Sequence, residues 1–585
     1  MFKNLALIID KEVLDVKEKI IFYGNLSIEN HYKLKKGSNN IFFFESEKYN
    51  YEDRLKKLLD CEESIEIILE ELSHILNRIN KVNFSKKSWK IILGKWLTDF
   101  IWYAFKSFEE IQNLLKKNEI KKIYKNQNRN YVLLTNDTAH LYSAFHDAEW
   151  SSKLNSQIIN FLSGNYKSSD IEQNKVQYYK NYSFKKKNNL LINLLSYLNF
   201  FTNENDALIY QSSLSFFDQK KIELYHNKKI TSWINKNIQY QNINLNLRKE
   251  IIFQKTTEDL SFLNFLRKIL PLSLPKHVLE NFYEINQLSE KMKFPKNPKF
   301  ILTGNAFNED EIFKFYLAKK ISFGIPYFVI QHGSVYYTDI ASRFRHEVTL
   351  SDGVITWGAD YEKKLLPTFN TNSILIKKKL IYKNKKNLSV ICNPLFSNVR
   401  PYMYENFKKI FENNYIFFNN VKKEVVKNIF FKRFPKEQFS NDEIFLDKLY
   451  NEKKINIYSE QETYVSVLNK SKLLIYTYES SGFYETLSLN IPTIMLNYEA
   501  SVNFEKRYEN IIKDLIKSKV IFECPIKLAE HVNNYWNNLD EWWLNPETQE
   551  SINNFNNSVN LPYRDNFDFL LKNIDNLYLN YEKKY

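Results

Sequence analysis

The chain has 585 residues, of which 44% are hydrophobic and 16% aromatic, which excludes a disordered protein and allows two or more globular domains. The sequence contains no run of 18 apolar residues, and its first apolar run is too short for a signal peptide, so we expect a soluble or peripheral protein. The three cysteines have neither metal-ligand spacing nor a disulfide framework, which favours the cytoplasm. The net charge of +15 is dispersed in small groups, which favours a solvated surface or an anionic inner-membrane surface over nucleic acid.

The predicted elements alternate along the chain, and a surface excursion is expected at 165–200 and a lysine-rich link at 376–387. Strands are predicted at 4–9, 20–23, 41–44, 131–134, 207–210, 300–303, 326–330, 354–356, 388–392, 428–432, 472–477 and 491–496. Helices are predicted at 51–80, 84–118, 140–162, 214–224, 247–292, 309–320, 401–413, 479–489, 505–518 and 526–540. Strands and helices that alternate on both sides of a link predict two parallel α/β domains.

Glycines mark one region of the chain. Five of the ten glycines fall between 304 and 358, within a predicted strand–helix–strand unit. A chain this poor in glycine keeps it where the backbone turns tightly or lies open to a ligand, so the clustering predicts a site. Gln331-His332-Gly333 follows the second strand of the unit, and parallel sheets bind ligands at that edge. His332 is therefore a candidate catalytic residue, with a structural histidine as the alternative.

Two further candidates lie in the second predicted domain. Lys432-Arg433 follows a strand, and Thr477 leads from another strand to Ser480-Ser481, which can cap a helix that also carries Glu485. The free N–H groups of such a helix start form an anion site, which is typical of a nucleotide-phosphate half-site. A solvated basic pair and an ordinary strand–serine–helix junction are the alternatives.

The order of these motifs resembles that of GT-B glycosyltransferases. The colinear series is QHG, Ser351-Asp352, TWG, SVICNPL, KRFP and a Tyr-Glu-Ser-Ser helix start followed by IPT. It is most similar to the transferase family encoded in O-antigen and surface-polysaccharide clusters, and Asp147-Ala148-Glu149-Trp150 resembles the acidic-tryptophan segment of that family. It is more distantly similar to capsule Kdo transferases and CDP-glycerol glycerophosphotransferases. Phe434 stands where the family has a histidine before proline, and Ala148 and Ser151 stand where it tends to have Asp and Asn.

The resemblance implies an α/β, GT-B-like fold, in which two Rossmann-like parallel-sheet domains face each other across a cleft and the N-terminal domain is rich in helices. Residues 1–370 would form the acceptor-side domain, 371–545 the nucleotide-sugar domain, and 546–585 a helical tail that crosses back to the first domain. No metal or cofactor is expected, because cations and helix N-termini neutralise the leaving phosphate.

The implied function is transfer of a sugar from a nucleotide-activated donor, with a CMP-linked ulosonic acid as one candidate, to a surface-polysaccharide or lipid-linked glycan acceptor. The alternatives are a CDP-polyol phosphate transferase and a non-catalytic nucleotide-binding scaffold. His332 is the candidate base on an acceptor hydroxyl or hydrogen-bonds the donor, and Asp147 or Glu149 is the alternative base. The candidate donor-binding residues are Gln331, Gly333, Lys432, Arg433, Thr477, Ser480, Ser481 and Glu485.

Overall fold

The computed structural model describes residues 2, 4–7, 17–24, 34, 40–124, 133–145, 147–163, 203–225, 238–253, 259–292, 294–333, 337–381, 385–392, 407–432, 455–459, 461–564 and 566–583. The strands are β1 (Asn4–Ala6), β2 (Ile20–Phe22), β3 (Ile41–Phe43), β4 (Lys122–Tyr124), β5 (Leu208–Tyr210), β6 (Ile301–Thr303), β7 (Tyr327–Ile330), β8 (Gly353–Thr356), β9 (Leu365–Pro367), β10 (Asn387–Ile391), β11 (Ile429–Lys432), β12 (Asn456–Ile457), β13 (Ser471–Tyr476), β14 (Thr493–Leu496) and β15 (Ile521–Phe522).

The α-helices span Tyr51–Asn80, Lys86–Ile92, Gly94–Lys117, Thr138–Phe145, Ala148–Leu162, Phe216–Tyr225, Leu245–Lys249, Phe262–Ser273, Phe282–Lys291, Ala306–Glu309, Glu311–Ser322, His346–Leu350, Ser373–Lys379, Phe407–Asn420, Lys423–Val426, Tyr464–Lys470, Ser481–Ser488, Ala500–Asn503, Glu509–Lys517, Pro525–Tyr535, Leu539–Trp543, Pro546–Val559 and Phe567–Glu582. Short 3-10 helices span Lys276–Val278, Ser342–Phe344 and Lys506–Tyr508. No helix in the described ranges is long and apolar enough to cross a membrane.

The strands form three sheets in which every pair is parallel. The first has the order β3-β2-β1-β4, and the second runs β5-β6-β7-β8-β9. The third has the order β12-β11-β10-β13-β14-β15, which is the 3-2-1-4-5-6 order of a Rossmann sheet. We call the first two sheets with their helices the front lobe and the third sheet with its helices the rear lobe. The predicted α/β, GT-B-like class with a helix-rich N-terminal part is confirmed.

Burial follows the alternation expected for strands covered on both faces. Tyr327 and Val329 of β7 belong to the large core that the front-lobe helices share, whereas Phe328 and Ile330 point into a smaller core on the other face. The C-terminal helix Phe567–Glu582 supplies much of that smaller core. The preceding helix, Pro546–Val559, packs in the rear-lobe core instead. The boundaries at 370 and 545 stay predictions.

Two glycines of the cluster make room for this C-terminal segment and not for a ligand. A Cβ atom on Gly353 would lie 2.6 Å from Cδ2 of Leu577, and one on Gly358 would lie 2.7 Å from the backbone nitrogen of Asn560. Close packing against the Leu577 side chain at Gly353 and against the backbone at Gly358 therefore explains the glycines at these positions.

Several predicted elements differ from the structure. The predicted helix 140–162 is two helices, because Asp147 caps the second one. The structure has β4 at Lys122–Tyr124 and no strand at 133–134, while 131–132 lies outside the described residues. The helices predicted to dominate 247–292 are present, and one of them starts at the cap Ser261. The excursion at 165–200 also lies outside the described residues.

Candidate functional site

Four strands of the front lobe end side by side. Because β5, β6, β7 and β8 are parallel neighbours, the residues that follow them share one edge of the sheet. These residues are Gln211, Gly304, the Gln331-His332-Gly333 turn and Trp357. This is the edge at which open α/β sheets bind ligands.

The Gln331 side chain holds the turn in shape. Its Nε2 donates to the Gly333 carbonyl at 2.8 Å, and its Oε1 accepts from the Trp357 backbone N–H at 2.7 Å. The side chain is buried, and both ends of its amide are engaged within the protein. The structure thus gives Gln331 a positioning task, and contact of Gln331 or Gly333 with a donor stays a prediction.

His332 projects from this turn toward the end of β6. Its ring is hydrogen-bonded to the Gly304 backbone, and the residue keeps a partly exposed surface. Burial lowers the pKa of His332 to about 4, with a smaller contribution from the positive charge of Arg345, while the Gly304 hydrogen bond opposes the shift. The imidazole is therefore neutral at physiological pH and able to accept a proton.

Gly304 is a position where the absence of a side chain matters. A Cβ there would lie 2.8 Å from Oγ of Ser213 and 3.0 Å from the carbonyl oxygen of Gln211. Gln211 and Ser213 have positive φ values of 47° and 63°, which are uncommon for residues with a side chain. The segment after β5 thus packs closely against Gly304, whose backbone is hydrogen-bonded to His332.

Asn372 joins the His332 turn to the rear lobe. Its Nδ2 lies 3.0 Å from Oε1 of Glu485 and 3.4 Å from the carbonyl oxygen of His332. Glu485 is buried in the helix Ser481–Ser488, and burial raises the pKa of its carboxyl group, while hydrogen bonds from Asn372 and Tyr464 oppose that rise. One partly exposed amide therefore bridges the two lobes at the candidate site.

Asn560 makes a second, fully buried connection between the same elements. Its Nδ2 donates to the carbonyl of Tyr484 at 2.8 Å, and its Oδ1 accepts from Asn370 at 2.9 Å. The Leu561 N–H donates to the Trp357 carbonyl at 2.7 Å. The sequence analysis missed Asn372 and Asn560, because isolated asparagines carry no motif in a chain so rich in this residue.

The rear lobe has its own ligand edge at the boundary between β10 and β13. Strand order reverses there, which is where Rossmann sheets bind nucleotides. The Thr477 N–H donates to the Ile391 carbonyl at 3.1 Å across this boundary. Ser480 is the N-cap residue of the helix Ser481–Ser488, and its Oγ accepts from the Phe483 N–H. The predicted helix start thus exists, and Ser481 is its first residue.

Lys432 has a defined place at the end of a rear-lobe strand. Lys432 ends β11, and its Nζ donates to the carbonyls of Ser459 at 3.2 Å and Glu462 at 2.8 Å. Its role toward a phosphate stays a prediction, and Arg433 lies outside the described residues.

The two alternative bases lie at the start of a helix. Asp147 caps the helix Ala148–Leu162 by accepting from the N–H groups of Glu149 at 2.8 Å and Trp150 at 3.0 Å. Glu149 is exposed in the first turn. Capping explains this acidic position without catalysis, and a catalytic role for either carboxylate stays a prediction. Among the described residues, no group of three or more His, Cys, Asp or Glu side chains is arranged to hold a metal ion.

Comparison with known proteins identifies the family. The family model of the LIC12162 family transferases matches residues 3–570, so the chain belongs to that transferase family. None of the curated proteins compared with the chain matches it.

Solved structures resemble the chain only loosely. The wall teichoic acid polymerase TagF with CDPG is 13% identical, with 49% of this chain and 73% of that chain covered and a TM-score of 0.30. S. aureus MnaA with UDP is 16% identical, with 52% and 80% covered and a TM-score of 0.35. MurG of Acinetobacter baumannii is 10% identical, with 51% and 77% covered and a TM-score of 0.28. Superpositions this loose assign no chemistry.

Proposed function

We propose that this transferase moves a sugar from a nucleotide-activated donor to a glycan acceptor of a surface polysaccharide. One observation carries the proposal: Asn372 contacts both the His332 turn of the front lobe and Glu485 of the rear-lobe helix start. A candidate base and a candidate phosphate-binding helix are thereby linked through one side chain. Transfer between two bound substrates requires the groups that hold them to lie close together, and this contact supports that.

In the proposed reaction, His332 takes the proton from an acceptor hydroxyl. The hydroxyl oxygen forms a bond to the anomeric carbon of the donor, and the bond between that carbon and the nucleotide phosphate breaks. The pKa of His332, lowered to about 4, leaves the imidazole neutral and able to accept this proton, and it also makes the imidazole a weaker base than an ordinary histidine.

The leaving phosphate would lie at the start of the helix Ser481–Ser488. Unpaired N–H groups at a helix N-terminus attract anions, and Ser480 and Ser481 bring hydroxyl groups there. Lys432 and Arg433 would add positive charge. Stabilisation of charge that develops in the transition state is typically worth about 3–4 kcal/mol for each well-placed donor. Glu485 would accept hydrogen bonds from the sugar or ribose of the donor.

A CDP-polyol phosphate transferase is the second candidate, because the same helix start would bind the phosphates of either donor. The two reactions differ in the product, since only the polyol transferase adds phosphorus to the acceptor. A non-catalytic nucleotide-binding scaffold is the third candidate, which the phenylalanine at 434 in place of a histidine favours.

A thermal-shift screen with CMP, CDP, UDP, GDP and TDP tests the proposal first. A ligand that binds only the folded chain raises the melting temperature by mass action, so the donor nucleotide should stand out from the other four. The matching nucleotide sugars should then be hydrolysed or transferred, and phosphorus analysis of the product separates the two transferases. If one nucleotide stabilises the chain and none of its sugars is turned over, the scaffold is favoured. If no nucleotide stabilises it, the proposal fails.

A further inference from the structure

The helix Phe216–Tyr225 exposes most of its large apolar side chains and buries its acidic ones, which is the reverse of an ordinary surface helix. Its residues at 216, 217, 220, 221, 224 and 225 lie on one half of the helix, since successive residues are about 100° apart. The large apolar members of that half are exposed: Phe216 by 50%, Phe217 by 76%, Leu224 by 64% and Tyr225 by 50%. The other two members are Lys220 and Lys221. We call this half the aromatic–lysine face.

The acidic residues of the same helix point inward. Glu223 is fully buried and accepts from Lys220 at 2.5 Å, and Asp218 is buried beneath Ser215, which donates to it at 2.6 Å. A helix that only covers a core would show the opposite pattern, with charges outside and aromatic residues inside. The exposed half therefore carries apolar side chains and Lys221, whereas Lys220 is paired with Glu223 and only 12% exposed.

Neighbouring helices extend this surface with further lysines and apolar residues, and the C-terminal helix adds Asp575, which accepts from the Tyr225 hydroxyl at 3.0 Å. The helix Ser373–Lys379 ends in Lys377, Lys378 and Lys379, and Lys378 reaches Asp218 at 3.4 Å. Ile381, just beyond it, is 60% exposed. On the other side, the Nζ of Lys221 lies 5.4 Å from the ring centroid of Phe567 in the C-terminal helix. The surface thus spans the helix Phe216–Tyr225 and two helices that each contact it.

We propose that the aromatic–lysine face docks on an anionic lipid bilayer. Aromatic and leucine side chains that enter the headgroup region, with lysines around them that meet anionic lipids, define an interfacial membrane-binding helix. The charge complementarity favours this partner over a second copy of the chain, because two such faces would bring their lysines together.

The face also lies beside the candidate site. The helix begins three residues after Ser213, which packs against Gly304, the residue whose backbone contacts His332. On the proposed function, a bilayer held here would present a lipid-linked acceptor to the carboxyl edge of the front-lobe sheet. The docking itself does not require that function, so lipid binding and activity are tested separately.

Vesicle co-sedimentation of the full chain tests the proposal. The wild type should bind vesicles that contain phosphatidylglycerol, bind pure phosphatidylcholine vesicles much more weakly, and lose binding as salt is raised. Phe217→Ser combined with Leu224→Ser should weaken binding about tenfold, because two large apolar side chains no longer enter the bilayer. Lys221→Glu should weaken binding to anionic vesicles only.

Phe323→Ser is the matched control. Phe323 is 78% exposed and precedes β7, so it lies at the opposite edge of the sheet. It should bind vesicles like the wild type, and unchanged melting temperatures show that all variants fold. The proposal is overturned if the wild type does not prefer anionic vesicles, if the double variant binds as well as the wild type, or if Phe323→Ser loses as much binding. It is also overturned if the double variant alters only self-association.

Discussion

The side-chain amide of Asn372 lies 3.0 Å from the carboxylate of Glu485 and 3.4 Å from the backbone carbonyl of His332. The position of the turn and that of the helix start therefore both depend on the amide nitrogen of Asn372. A residue that sets this distance without touching the reacting atoms is a positioning residue.

Asn372→Ala should lower kcat by about tenfold to a hundredfold with a smaller change in KM, because a misplacement of about 1 Å costs that much in rate. Steady-state kinetics measure the change. Asn573→Ala is the control, since its buried amide donates to the Pro367 carbonyl at 3.3 Å, away from the turn. Equal losses of kcat in the two variants would show that Asn372 matters only for stability.

Ser480→Ala should destabilise the start of the helix Ser481–Ser488. The Ser480 hydroxyl accepts from the Phe483 N–H, and loss of such a cap costs about 0.5–2 kcal/mol. We expect a lower melting temperature without ligand together with weaker stabilisation by the donor nucleotide. Ser480→Asp retains a capping acceptor and should restore the melting temperature, but the added negative charge should weaken nucleotide binding further. If nucleotide stabilisation is the same in all three proteins, the phosphate does not bind at this helix start.

Gly358→Ala should loosen the C-terminal segment from the sheet. The new Cβ would lie 2.7 Å from two backbone atoms, which cannot be relieved by a rotamer change, so we expect a loss of about 1–3 kcal/mol. Chemical denaturation measures the loss, and limited proteolysis near 560–566 should become faster. Gly324→Ala is the comparison, because Gly324 has a φ of 77° but no atom within 4 Å of the added Cβ. An unchanged free energy of unfolding in Gly358→Ala would argue against crowding there.

The pH dependence of transfer should reflect the low pKa of His332. The folded chain holds this pKa at about 4, so the acidic limb of kcat/KM should lie near pH 4 and not near the ordinary value of 6.5. In the unfolded chain the imidazole binds its proton at higher pH, so the unfolded state binds more protons between about pH 6.5 and 4. Stability from this residue is therefore lost as pH falls through that window, by about 1–3 kcal/mol. His332→Gln should remove this loss, which melting curves across the pH range can detect.

Much of the fold follows from local patterns in the sequence, and the site follows only in part. The apolar run of β7 and the capped start at Ser480 are local signals, and both features are present. The sequence predicts a ligand site around Gly358, but the structure needs glycine there because Asn560, about 200 residues later in the chain, lies against its backbone. The sequence analysis missed Asn372 for a similar reason. Its two partners are distant in sequence, and only the packing of the lobes brings them together.

The most direct test of the central claim compares transfer and nucleotide binding in His332→Ala. His332 lies in the front lobe, whereas the proposed phosphate site starts at Ser480 in the rear lobe. The variant should keep the donor-nucleotide affinity of the wild type within about threefold and lose sugar transfer by at least about a hundredfold, the lower range for a lost general base. Near-normal transfer by a folded variant would contradict the account, as would a parallel loss of nucleotide binding and transfer.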